Sequence, residues 1–285
     1  MRKLIDRCRL RRIIVALLLL GALPGHAQSA LEAAGAAARR GDWTNAVSLY
    51  GEVLEAGGLS PAQTARVYLA RGDSHWQQDA VLEAIQDFGM AVNFDPTLVE
   101  AFYRRGLGYS ILEDFRRAAE DFSRVLLLEP RHGMALTARG FARASLGDPV
   151  GALSDYDAAL LFDRQNLIAR QNRGSLYLQQ GRLDAALTDF EFVLQAAPDN
   201  PAVLNNRGSV LARQGRLEEA VADFDRALNR DPDYLMALLN RAAALHTLGR
   251  GEAAVVDLRR ARELAPEHPE VRERWAAFRR QGLLP

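Results

Sequence analysis

The sequence predicts an all-α chain of stacked helix-turn-helix repeats, and three observations predict it. Segments beginning at Ala65, Val99, Gly133, Leu167, Pro201 and Leu235 align at a spacing of 34 residues without a gap. Small residues recur at two fixed offsets of that period, with a large and mostly aromatic residue at a third. Proline closes every copy but one.

Counting each start as position 1, position 8 is Gly72, Gly106, Gly140, Gly174, Gly208 and then Ala242. Position 20 is alanine throughout, in Ala84, Ala118, Ala152, Ala186, Ala220 and Ala254. Position 24 is Phe88, Phe122, Tyr156, Phe190, Phe224 and Leu258. These residue types describe two antiparallel helices per copy. The small residue at 8 packs against the small residue at 20, and the side chain at 24, one turn on, fills the space beside them. Position 32, in Pro96, Pro130, Pro198, Pro232 and Pro266, is expected to end the second helix and force an extended join, with Arg164 the exception. Glycine at position 15 (Gly147, Gly181, Gly215, Gly249) marks the turn between helices. In the third copy, Asp148-Pro149 adds a capping carboxylate and a first-turn proline.

This pattern resembles the tetratricopeptide repeat family, whose 34-residue unit has small residues at 8 and 20, an aromatic at 24 and proline at 32. The resemblance implies a right-handed superhelical solenoid of six clear repeats over residues 65–268. A degenerate first repeat and linker would occupy residues 28–64, with Gly41-Asp42-Trp43, Ala46 and Tyr50 in the helix-turn-helix places and Gly57, Gly58 and Pro61 loosening the join. A capping helix would occupy residues 269–285, its Trp275 and Phe278 covering the last apolar face.

One feature is not required by the family pattern. Position 7, usually apolar in the family, is arginine in all six copies: Arg71, Arg105, Arg139, Arg173, Arg207 and Arg241. Position 23 is aspartate in the same six: Asp87, Asp121, Asp155, Asp189, Asp223 and Asp257. The degenerate copy has Ala33 and Leu49 there, so the two charges are present or missing together. Pairing within a copy matches every arginine with an aspartate, whereas pairing with the next copy would leave Asp257 facing Trp275. Structural ion pairs between the two helices of each repeat are therefore expected.

The formal charge of zero hides a basic start, because residues 2–12 hold Arg2, Lys3, Arg7, Arg9, Arg11 and Arg12 against Asp6 alone. Without that stretch, 30 basic residues face 35 acids, and such a surface argues against nucleic acid as a partner. The basic start, the apolar run Ile13 to Leu23 and the small residues ending in Ala27 have the layout of a signal peptide over residues 1–27. Export to the periplasm or beyond is expected, with an uncleaved inner-membrane anchor as the alternative, in which case alone a membrane would be a partner. Eleven apolar residues fall short of the roughly 20 that span a bilayer. Cys8 precedes the apolar run, so a lipoprotein is disfavoured and the mature chain would lack thiols.

No phosphate loop, nucleophile elbow or Cys/His metal spacing is found. Asp155-Tyr156-Asp157 and Asp223-Phe224-Asp225 imitate metal-binding acid pairs, but both fall at positions 23 to 25 and the repeat explains them. No enzyme, cofactor or metal is expected; the partner would be a protein or peptide. In the family, the first helices line a groove through positions 2, 5, 6, 9, 12 and 13. Carried over, these give Leu69, Tyr103, Arg104, Phe141, Gln171, Asn172, Asn205, Asn206 and Asn240 as partner-binding residues. Asn172, Asn206 and Asn240 share position 6, a row of amides able to donate to and accept from a peptide backbone. Position 5 carries no basic residue, so a carboxylate clamp is not supported.

Overall fold

The computed structural model describes residues 25–282, with side chains from residue 28. The expected signal segment before Gly25 and the last three residues lie outside the described residues. Fifteen α-helices and no strand are found among them. They run α1 (Gly25–Arg40), α2 (Trp43–Ala56), α3 (Pro61–Gln77), α4 (Val81–Phe94), α5 (Val99–Ile111), α6 (Phe115–Leu128), α7 (Gly133–Ser145), α8 (Pro149–Phe162), α9 (Leu167–Gln179), α10 (Leu183–Ala196), α11 (Pro201–Arg213), α12 (Leu217–Arg230), α13 (Leu235–Thr247), α14 (Gly251–Leu264) and α15 (Pro269–Arg280).

Two compact units divide at Arg164. The first stacks α1 to α8 as four helix pairs. Its leading pairs share a core of Ala34, Ala37, Ala46, Tyr50, Val53, Val67 and Ala70. The second stacks α9 to α14 as three pairs closed by α15, around a core that includes Phe190, Leu204, Phe224, Leu239, Leu258 and Phe278. Within each unit a second helix packs against its own first helix and the first helix of the next pair. Successive first helices also touch one another, α5 with α7 in the first unit, and α9 with α11 and α11 with α13 in the second. That contact puts the first helices on the inner side of each stack.

The glycine at position 8 answers to the ring at position 24 more than to the alanine at 20. A methyl group on Gly72, Gly106, Gly140, Gly174 or Gly208 would lie 2.6 to 2.9 Å from the Cε1 of Phe88, Phe122, Tyr156, Phe190 or Phe224. All five rings are buried. In the sixth copy both positions change together, to Ala242 and Leu258, and both are buried. A branched aliphatic leaves the room that a ring denies.

Three details of the helix ends add to the repeat pattern. Helix α3 starts at Pro61, four residues ahead of Ala65, because Ser60 and Gln63 form a capping box there. Helix α8 ends at Phe162 without a proline, and its cap Asp163 (φ −136°, ψ 95°) matches Asp95 before Pro96 (φ −137°, ψ 92°). Proline is therefore not what stops these helices; the local start of the next one, capped at α9 by Asn166 accepting from the Ala169 N–H, suffices. The turn position also tolerates side chains: Asp79 and Glu113 hold the positive φ, 58° each, that Gly147, Gly181, Gly215 and Gly249 adopt in later copies.

Candidate functional site

Position 7 and position 23 meet as a chelate. Arg71 donates from Nε and Nη2 to Asp87 at 2.8 and 2.6 Å. The same two bonds join Arg105 to Asp121, Arg139 to Asp155, Arg173 to Asp189, Arg207 to Asp223 and Arg241 to Asp257, all between 2.6 and 2.9 Å. The six aspartates are buried, so the planar fork replaces the water each carboxylate has lost. Hydrogen bonding to the aspartate raises the pKa of Arg71, Arg105, Arg207 and Arg241. Burial raises that of Asp121 against the pull of Arg105.

The guanidinium has a third arm that the spacing did not disclose. Nη1 of Arg139 reaches Ser123 Oγ at 3.2 Å, and Nη1 of Arg241 reaches Asp225 Oδ1 at 2.6 Å. Both acceptors stand at position 25 of the preceding repeat, so these arginines tie neighbouring repeats as well as their own helices. Because Asp155 and Asp223 are taken up by Arg139, Arg143 and Arg207, neither presents a free acid pair. Among the described residues no group of His, Cys, Asp and Glu is arranged to hold a metal.

On the inner wall of the first unit, Leu69, Arg104 and Phe141 are partly exposed and Tyr103 is buried. Tyr103 sits against Phe122 and His132, with ring centroids 5.8 and 5.1 Å away, and so belongs to the core and not to the groove. Phe141 meets Phe115 edge to face at 5.8 Å. Arg104 lies between Asp73 (3.1 Å) and Glu100 (2.8 Å).

In the second unit the amide row is engaged along the stack. Asn206 donates from Nδ2 to Ser175 Oγ at 3.1 Å, and Asn240 from Nδ2 to Asn205 Oδ1 at 2.9 Å and Ser209 Oγ at 3.2 Å. Position 6 thus reaches position 9 of the repeat before it, as Arg104 reaches Asp73. Both N–H groups of Asn240 and one of Asn206 hold repeats together, and Asn205 is buried. Asn172, whose Nδ2 is buried without a hydrogen bond, and Gln171 are partly exposed. Sequence reasoning missed the position 6 to 9 contact, although Ser175 and Ser209 recurring beneath Asn206 and Asn240 were its visible sign.

The tetratricopeptide repeat profile matches residues 31–97, 103–166, 172–234 and 218–269. The fold is also similar to solved structures. One is a tetratricopeptide repeat protein from Parabacteroides merdae, at 18% identity and TM-score 0.70, over 88% of this chain and 97% of that one. Another is PilW, a type IV pilus biogenesis factor, at 21% identity and TM-score 0.66, over 74% and 98%. A third is YrrB, a repeat protein with an unusual peptide-binding site, at 24% identity and TM-score 0.52, over 61% and 90%. With the profile covering most of the chain, and a 34-residue pair of helices recurring beneath it, this protein belongs to the tetratricopeptide repeat family.

Proposed function

We propose that the chain is a non-catalytic scaffold or adaptor of the cell envelope that holds a peptide or protein partner against its first helices. The observation that carries this reading is the inner side of each unit, where Leu69 and Phe141 in the first, and Gln171 and Asn172 in the second, remain partly exposed. The export assignment is supported by the signal-like segment of residues 1–27. PilW and YrrB, similar in fold, are described as a pilus biogenesis factor and as having a peptide-binding site, which fits such a role.

A second reading, an accessory subunit of an envelope assembly or secretion machine anchored by an uncleaved first segment, is favoured by one observation. Helix α1 begins at Gly25 and so runs through the Ala27–Gln28 junction where cleavage is expected. No described helix is long and apolar enough to cross a membrane. N-terminal sequencing separates the two, Gln28 as first residue marking the exported form and Met1 the anchored one.

The groove is tested by placing a photo-crosslinking residue at Leu69 or Gln171, and at the exposed second-helix positions Leu82 or Val256, in envelope extracts. Adducts from the first pair and none from the second are expected. Adducts confined to the second pair would move the binding surface to the other helices.

A further inference from the structure

Asp73 stands at position 9, where the other copies have Leu107, Phe141, Ser175, Ser209 and Ala243. It is 5% exposed, as deep as the chelated aspartates of position 23, yet no fork closes on it. Arg104 Nε approaches Oδ1 to 3.1 Å without hydrogen-bond alignment, and both atoms are buried with no hydrogen bond. The other end of that guanidinium, Nη2, turns to Glu100 at 2.8 Å. One misaligned cation shared with a second carboxylate returns less than the water a buried carboxylate gives up.

We propose that Asp73 is a proton-operated latch between α3 and α5: as a carboxylate it holds Arg104, and as a carboxylic acid it releases the guanidinium to Glu100 and the groove. The latch rests on the fold alone, whatever the groove binds. Burial pushes Asp73 up to about 7, with Arg104 opposing and Glu100 adding to the rise. The groups facing it are Arg104 and Glu100 from α5 and the Tyr50 hydroxyl from α2. Tyr50 is itself raised by burial first and by Asp73 second, against Arg39 of α1. On its own helix His75 is turned toward Asp87, 3.8 Å from Oδ2.

The sign follows from which state holds the proton. Between the ordinary aspartate range and neutrality the folded chain keeps a proton that the unfolded chain has released. The stability this gives is present in mild acid and lost as pH rises through 7.

Carbon-detected NMR titration of the side-chain carboxyls in the full chain tests the latch, with Asp73 assigned by its absence in Asp73→Asn. An Asp73 midpoint near neutrality is expected, moving down in Glu100→Gln and up in Arg104→Gln. The thermal midpoint of the natural chain should fall from mild acid to mild alkali, and Asp73→Asn should flatten that slope. A midpoint in the ordinary carboxylate range, or a slope unchanged by Asp73→Asn, overturns the proposal. If Asp73→Asn does not fold, assignment through the shift in Arg104→Gln leaves the titration of the natural chain to decide.

Discussion

A carboxylate at position 23 is shut away from water, so its worth is set by what replaces the water. Asp155 receives two bonds from Arg139 and a third from Arg143 at 2.9 Å. Asp155→Ala leaves two guanidinium groups without their counter-charge, one of them with a side chain 18% exposed. Breaking a buried pair from one side costs about 3 kcal/mol. Urea unfolding should show the midpoint of Asp155→Ala well below that of the natural chain, and an unchanged midpoint would make the pair ornamental. The pairing could be read in the sequence because Ala33 and Leu49 drop both charges at once in the degenerate copy. The third arm could not, since its acceptors at position 25 include Ser123 and Asp225 while Gly89 offers none, and a varying position carries no pattern.

At the scale of the helix pair, the ring and the glycine form one unit of shape. Leu258→Phe alone should crowd Ala242, at a cost of about 1–3 kcal/mol for overpacking. Ala242→Gly alone opens a small gap and adds backbone freedom at a cost of about 1 kcal/mol. The double variant reproduces the pair found in four other copies, so it should be more stable than Leu258→Phe alone, with a coupling of about 1–2 kcal/mol measurable by a thermal double-mutant cycle. Additive effects would mean the two residues do not meet as the other copies do. The offsets 8, 20 and 24 were plain in the sequence, but which pair makes the closest contact was not. Period alone places three residues near one another without saying whose atoms touch. The helix ends show the same limit. Proline at position 32 was the obvious stop signal, and Asp163 takes the same backbone conformation beside Arg164.

Within each unit of the molecule, each repeat rests on its neighbours, and in the second unit the last one rests on α15. Phe278 is buried against His246 at 4.9 Å, and Trp275 lies under Arg262 at 4.1 Å. Phe278→Ala should therefore accelerate amide hydrogen exchange in α13 to α15 first and leave α3 to α6 protected. Uniform acceleration across all helices would mean the array unfolds as a single block. The groove was the least legible part, because a family position says which side of a helix a residue occupies and not whether it is spent. Tyr103 and Asn205 are buried, and Asn206 and Asn240 hold the preceding repeat. The chelate has a further consequence for how such a chain can change length. Both members of every pair between positions 7 and 23 belong to the same 34 residues, so a whole block can be duplicated or excised without separating an aspartate of position 23 from its arginine. The Asn–Ser, Arg104–Asp73 and Arg241–Asp225 contacts cross from one block to the next, so the side chains at each new junction, not the pairs of positions 7 and 23, decide which rearrangements still fold.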